Sequence, residues 1–298
     1  MISSSSHGQH AFRNRRIQRI VALGMLLVIL INAGFLGFNL FFPDPVSRLT
    51  EGVIPRQYYS QFDADPLPSY DGTYGIGHNT GDSIDKITAA IEAGAQGIEI
   101  DVIAYRGDLY ARHNLPVTVF GEFGFRPVKL EEAWEAATTE VVQLDLKDTS
   151  VTFLNNLSRF LDRHQEDKRI VLVSSWDLDV LRSIQESNPW VGRLLSIGSQ
   201  EQFDSVLVGY DEIQQNRLIN GVTIRHDLLD APTVFWLKER TLLIFAWTVE
   251  SLSRVNELTL LGIDAVVTDN LAILNLLRAS QESELLATPE ALASPAAP

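Results

Sequence analysis

Between about Asp71 and Leu277 the chain repeats one rhythm: a short β-rich run, then an amphipathic helical stretch. The runs are Thr73–Gly77, Gly97–Val102, Val141–Leu146, Arg169–Ser174, Arg193–Ile197, Gly221–Arg225, Leu242–Val249 and Ala265–Thr268. The helical stretches between them are Ser83–Ala93, Leu130–Ala137, Val151–Arg163, Leu178–Glu186, Gln200–Leu207, Pro232–Glu239 and Ser251–Leu261, with Leu271–Leu277 after the last run. Leu172-Val173 and Ala265-Val266 lie in nearly continuous apolar runs, as parallel strands covered on both faces do. Eight such units in about 200 residues predict an α/β fold, a (β/α)8 TIM barrel near its lower size limit. An open doubly wound sheet would need fewer strands or a glycine-rich phosphate loop, and no G-x-G-x-x-G follows the first run.

The rest of the 298 residues is organised by charge. Residues 1–19 hold Arg13, Arg15, Arg16 and Arg19 and no acid, a tail of +4; since the chain totals −14, everything after Arg19 carries −18. Next comes Ile20–Phe42, 23 residues without a charge, where about 20 apolar residues suffice for a bilayer-spanning helix. A cleaved secretory signal would have a shorter apolar region of ~7–15 residues before a small-residue site, and Ala33-Gly34 makes a poor one. The expectation is an uncleaved single-pass anchor. Arginine-rich flanks stay cytoplasmic, so the folded domain is expected outside the cytoplasm, on the cell membrane. Residues 43–70 read as a linker interrupted by Pro43, Pro45, Pro55, Pro66 and Pro68. The barrel is assigned to 71–278, and 279–298, rich in Ala, Ser, Glu and Pro, to a disordered tail. The acidic balance argues against a nucleic-acid partner, which needs a basic footprint. The absence of cysteine excludes disulfides, thiolate metal sites, cysteine nucleophiles and a lipobox-type acyl anchor.

A barrel of this kind builds its active site at the carboxyl ends of its strands, so polar residues there are the informative ones. His78 ends the first run, Glu99 and Asp101 sit in the second, and Asp145 and Lys147 close the third. Ser175, Trp176, His226 and Trp247 follow on later strands. Residues two apart share a strand face, so Glu99 points with Asp101, and Asp145 with Lys147. Three carboxylates aimed into one mouth repel each other and raise each other's pKa values. A divalent cation relieves this, and all-oxygen ligands favour Ca2+ or Mg2+. The competing reading pairs each acid with Lys147 or an arginine for structure alone. His78 and His113 bracket the cluster, His113 following a short arm, Leu109–Arg112, after the turn Arg106-Gly107-Asp108. Two imidazoles beside a cation suit acid and base roles in phosphate-ester cleavage. His226 is an outside candidate without a patterned partner. His7, His10 and His164 are given no role.

These residues resemble a known family. Gly77-His78-Asn79-Thr80, then Ala93-Gly94-Ala95-Gln96-Gly97-Ile98-Glu99-Ile100-Asp101-Val102, then Arg112-His113-Asn114, look like the glycerophosphodiester phosphodiesterases. So do Leu144-Asp145-Leu146-Lys147 and the end of the domain, Trp247-Thr248-Val249 and Gly262-Ile263-Asp264-Ala265-Val266-Val267-Thr268-Asp269. The ordered match covers about residues 74–278. It implies a (β/α)8 barrel and cation-dependent cleavage of glycerophosphodiesters to glycerol phosphate and an alcohol. It also implies Glu99, Asp101 and Asp145 as metal ligands and His78 and His113 as acid and base. Lys147 matches a phosphate-contacting lysine, and Trp247 an aromatic pocket residue. The family mechanism it implies is attack of a substrate hydroxyl on phosphorus, giving a cyclic phosphate that is then open to water.

Three departures stand out. Asn79 replaces an arginine after the first histidine, Asn114 an aspartate after the second, and Asp145 the usual glutamate. The stretch after His113 is also short. These features are similar to the sphingomyelinase D branch, whereas the Thr268-Asp269 ending looks like the glycerophosphodiesterases. Two other functions therefore stand beside the leading one: a phospholipase D-like lyase on intact phospholipids, and a non-catalytic module that binds a headgroup or cation.

Overall fold

The structure is a computed structural model and describes residues 72–114 and 127–287. The expected anchor at 20–42, the tail and linker around it and the end of the C-terminal tail lie outside the described residues. Among the described residues no helix is long and apolar enough to cross a membrane.

Among the described residues ten strands form one sheet: β1 (Tyr74–Gly77), β2 (Gly97–Tyr105), β3 (Asp108–Ala111), β4 (Val128–Lys129), β5 (Val141–Leu146), β6 (Ile170–Ser175), β7 (Gly192–Ile197), β8 (Gly221–Arg225), β9 (Leu243–Trp247) and β10 (Ala265–Thr268). Eight of them run parallel in the order β1, β2, β5, β6, β7, β8, β9, β10, and β10 pairs back onto β1. The expected eight-stranded barrel is therefore closed. The helices are α1 (Ile84–Glu92), α2 (Leu130–Ala136), α3 (Val151–Arg163), α4 (Leu178–Ser187), α5 (Gln200–Gln215), α6 (Ala231–Lys238), α7 (Leu252–Leu261) and α8 (Leu271–Ala287).

The helices follow their apolar spacing. In α3, Phe153, Leu157, Phe160 and Leu161 fall on one face and are buried, and the Ser150 hydroxyl caps the helix by accepting the Phe153 amide at 3.3 Å. Each such buried side chain stabilises the fold by about 1.5–3 kcal/mol relative to exposure. The excursion from β2 to β3 turns at Arg106 (φ 52) and Gly107 (φ 92). Two left-handed residues between paired Tyr105 and Asp108 make the tight hairpin turn that the Arg106-Gly107-Asp108 signal predicts.

Two helices outrun their expected ends. α5 continues past Leu207 to Gln215 because Tyr210 and Ile213 extend its buried face across Gly209. α8 continues past Leu277 and into the segment assigned to a tail from Ala279, ending at Ala287. Gln281 ties it down, donating to the Thr73 carbonyl at 3.0 Å and accepting from Gln96.

The barrel interior has two halves. Tyr74, Ile76, Val141, Leu172, Leu194, Leu243, Phe245, Ala265 and Val267 form an apolar core inside it, distinct from the larger core between strands and helices. Above that floor, toward the carboxyl ends, inward positions become polar: Glu99, Asp101, Gln143, Asp145, Ser174, Ser196 and Thr223. Parallel register sets Glu99 beside Gln143 and Asp101 beside Asp145.

Candidate active site

The carboxyl ends of the strands enclose a cavity of ≈ 270 Å³. Six of the seven residues singled out from sequence line it: His78, Glu99, His113, Asp145, Lys147 and Trp247. Asp101, the seventh, lies beneath them with 0% exposure. One carboxylate oxygen from each of Glu99, Asp101 and Asp145 can be chosen so that all lie within 4.8 Å of one another.

Strand alternation produces this cluster. Ile98, Ile100 and Val102 face the helices, which turns Glu99 and Asp101 inward; Val142, Leu144 and Leu146 do the same for Gln143 and Asp145. Lys147 follows directly, its amide held by the Val102 carbonyl at 3.0 Å. Its ammonium meets Asp101 Oδ1 at 3.0 Å and also pairs with Asp145. Ser174 on β6 donates to Asp145 Oδ1 at 2.9 Å, and Gln143 donates to Ser174 at 3.1 Å. Asp145 is thereby oriented by a chain of neutral groups across β5 and β6.

The short 3-10 turn after β1, Thr80–Asp82, presses against β2. A side chain at Gly81 would come within 2.8 Å of the Ile100 Cα, so only glycine allows this approach. Asn79, at φ 48, opens that turn and directs its backbone amide to Glu99 Oε2 at 2.9 Å. Its side-chain amide lies 3.1 Å from His78 Nε2. His78 Nδ1 lies 2.9 Å from Asp269 Oδ2, and Nε2 stands 3.9 Å from Glu99 and 3.4 Å from the Thr248 hydroxyl.

Burial dominates the electrostatics. It raises Glu99 to about 7, assisted by the charges of Asp101 and Asp145 and opposed by His78 and the Asn79 amide. Burial also raises Asp101, with Asp145 adding to the rise and Lys147 opposing it. Burial alone would lower His78, but the hydrogen bond to Asp269 and the charges of Glu99, Asp269 and Asp101 outweigh it, and His78 rises to about 9. Lys147 follows the same balance: burial lowers it, the Asp145 and Asp101 charges raise it, and the net shift is upward.

The donor set fits a hard divalent cation. Asp101 Oδ2 is buried and accepts no hydrogen bond, and Oδ1 meets only the Lys147 ammonium among the described residues. The side-chain oxygens of Asn79 and Gln143 are likewise buried without a donor. Buried oxygens of this kind are costly unless a charge meets them, and carboxylate and amide oxygens are Ca2+ and Mg2+ ligands.

Residues to which the sequence reading gave no site role complete the rim. Asp269, Asn79, Gln143, Ser174 and Thr248 contact the predicted residues directly, while Ser196, Thr223 and Gln202 line the wall. Gln143 carried a usable signal, since it shares a strand face with Asp145. Asp269 carried none within its own strand. Neither Arg112 nor Arg225 lines the cavity: Arg112 Nη1 lies 3.8 Å from Asp82, and Arg225 donates twice to Asp227 at 2.5 and 2.9 Å. His226 does not line it either; its carbonyl accepts from Arg254.

A family model described as the glycerophosphoryl diester phosphodiesterase family matches residues 127–273, from the start of β4 into α8. No curated protein matches the chain. Solved structures that resemble it span more of the domain. An Oleispira antarctica phosphodiesterase in complex with the product sn-glycerol-3-phosphate is 18% identical, with a TM-score of 0.57 over 70% of this chain and 96% of that one. A Thermotoga maritima glycerophosphodiester phosphodiesterase is 18% identical, with a TM-score of 0.56 over 70% and 100%. One from Parabacteroides distasonis is 18% identical, with a TM-score of 0.58 over 73% and 100%. At these identities the likeness shows the barrel fold. The family match over residues 127–273 supports the assignment of this chain to the glycerophosphoryl diester phosphodiesterase family of enzymes.

Proposed function

We propose that the chain hydrolyses glycerophosphodiesters to glycerol phosphate and an alcohol, using a divalent cation, Ca2+ or Mg2+, held by Glu99, Asp101 and Asp145. The observation that carries this is the convergence of those three carboxylates within 4.8 Å, beside His78, at the barrel mouth. When bound, the cation neutralises phosphate oxygens and favours the charge that develops in the transition state. The protein's own groups do the rest. His113, on the exposed arm, takes the proton of the substrate hydroxyl next to the phosphate as its oxygen bonds to phosphorus. His78, which its acidic neighbours keep protonated, gives its proton to the departing alcohol oxygen as that P–O bond breaks. Water then opens the cyclic phosphate with the roles reversed, its proton going to His78 while His113 protonates the ring oxygen. Lys147 contacts the phosphate, and Trp247 closes one wall of the pocket. The charge-free span Ile20–Phe42 and its arginine flank support a single-pass anchor on the cell membrane, with this domain on the extracytoplasmic side.

The test is phosphorus NMR of the full chain with glycerophosphocholine or glycerophosphoethanolamine and added Ca2+, Mg2+ or Mn2+. Appearance of glycerol phosphate is expected. No turnover of any glycerophosphodiester with any of these cations overturns the reading. A second reading, a lyase that stops at the cyclic phosphate, rests on Asn79 standing where the family has arginine and on the absence of arginine from the cavity lining among the described residues. A cyclic product that persists would select it.

A further inference from the structure

At the end of the barrel opposite the catalytic mouth lies another cavity, ≈ 520 Å³ against ≈ 270 Å³ for the catalytic one. It is enclosed by the start of β7, the approaches to β8 and β9, and residues near the ends of α4 and α5. Three arginines line it: Arg193 in β7, Arg217 before β8 and Arg240 before β9. No aspartate or glutamate shares the lining. This is a local reversal of sign, because the chain beyond Arg19 carries −18.

Each of these arginines is fixed in place by something other than a carboxylate. Arg193 is only 6% exposed and donates to the carbonyls of Leu218, Val191 and Arg217 at 2.9, 2.9 and 3.2 Å. Burial lowers its pKa from the ordinary arginine value, and it remains a cation all the same. Arg240 lies over the Trp236 ring at 4.0 Å and the Tyr210 ring at 5.2 Å, and gives one N–H to the Trp236 carbonyl at 3.0 Å. Its Nε is buried without an acceptor among the described residues, and the nearest acid, Glu239, stands 3.8 Å from Nη1. Arg217 follows the end of α5 at φ 51, the left-handed position where glycine is usual. Gln185 fixes that backbone by donating to the Asn216 and Arg217 carbonyls at 3.0 and 3.1 Å. Among the described residues neither Arg193 nor Arg217 has an ion-pair partner. The end of a helix favours a nearby cation, which accounts for Arg217 and leaves the other two unexplained.

We infer that this cavity binds a phosphate-bearing anion with at least two negative charges. A guanidinium fork matches phosphate oxygens in pairs. Three such cations lining one cavity repel each other until an anion joins them. The rings beneath Arg240 and the carbonyls around Arg193 hold the donors in position beforehand, which reduces the ordering that binding costs. A single carboxylate would leave two of the three charges unmet. The volume lies in the range of small-molecule sites, so there is room for a second phosphate or an organic group beside the first. Free phosphate compounds and the headgroup of an anionic lipid share this chemistry. The apolar floor of the barrel separates the cavity from the carboxylate cluster, so its ligand is independent of the reaction at the mouth.

The experiment uses the full chain in neutral detergent, freed of divalent cations so that Glu99, Asp101 and Asp145 repel anions from the catalytic cavity. Isothermal titration calorimetry measures binding of pyrophosphate, glycerol 3-phosphate, monomeric dihexanoyl phosphatidic acid and citrate. The same titrations are run on Arg217→Asn, which keeps a residue that tolerates the left-handed backbone, and on Arg240→Gln, with thermal unfolding to verify the fold. One equivalent of phosphate ligand is expected to bind the wild type, and each variant should weaken it by about tenfold or more. Tightest binding of phosphatidic acid supports the site with a lipid headgroup as its source. Tightest binding of pyrophosphate or glycerol 3-phosphate supports it with a soluble ligand. Should Arg240→Gln unfold, Arg217→Asn decides alone, since its side chain is exposed. No binding of any phosphate compound, or binding that Arg217→Asn leaves unchanged, overturns the inference. Citrate bound as tightly as every phosphate compound overturns the assignment to phosphate.

Discussion

The carboxylate of Asp269, just past the last barrel strand, lies 2.9 Å from Nδ1 of His78, just past the first. The two residues are 191 positions apart in sequence and meet only because β10 closes onto β1. The hydrogen bond orients the ring so that Nε2 faces Glu99, and it is the largest of the influences that hold His78 protonated. Asp269→Asn keeps the size and removes the charge. The protonated form of His78 is present below its folded pKa of about 9 and is lost as pH rises through that value. In the variant this alkaline loss of kcat is expected to move down by about one pH unit or more. Asp269 acts here as a positioning residue, and a pH–rate profile checks it. An unshifted alkaline limb would rule that role out.

Asp101 is fully buried and has an oxygen without a donor. Asp101→Asn preserves shape while removing one of three clustered negative charges. The barrel is expected to stay folded, because the mutual repulsion of Glu99, Asp101 and Asp145 falls. Affinity for Ca2+ or Mg2+ should drop by about 100-fold or more, given that even outer-shell partners contribute about 10–100-fold. Isothermal titration calorimetry, with circular dichroism to verify folding, reads both quantities. Equal cation affinity in the two proteins would remove the cluster as the cation site.

Away from the mouth, the buried Trp134 donates its indole N–H to Asp167 Oδ2 at 2.9 Å. That hydrogen bond is the main reason why Asp167 titrates below the usual carboxylate range, and His164 and Arg169 add to the shift. A depressed carboxylate contributes stability that is full above its unfolded pKa and is lost as pH falls through its folded value. Asp167→Ala is therefore expected to lower stability modestly at neutral pH, since the carboxylate is solvent-screened, and the gap to wild type should close on acidification. Urea denaturation at neutral and acid pH measures this. A gap that stays constant with pH would contradict the assignment.

Much of this was legible in the amino-acid order, for physical reasons. β5 could be read end to end because Val142, Leu144 and Leu146 alternate with Gln143 and Asp145, a pattern only a strand with two different faces produces. The cluster of Glu99, Asp101 and Asp145 followed from the same period. What stayed hidden depends on contacts between distant segments. Asp269 belongs to the site through closure of the barrel, and no neighbour in its strand announces it. β2 runs on to Tyr105 because β3 folds back to pair with it, which local apolarity at Val102 does not reveal. α8 outlasts its apolar pattern because Gln281 finds partners at Thr73 and Gln96.

The apolar floor of the barrel has a consequence for traffic. Tyr74, Leu172, Leu194 and Phe245 fill the lower interior, so among the described residues the barrel axis beneath the catalytic chamber is packed shut. Whatever enters at the mouth must leave by it, alcohol and phosphate alike. A product that lingers therefore stands in the path of the next substrate. Competition for that doorway is written into the packing beneath the site, independently of the chemistry at its rim.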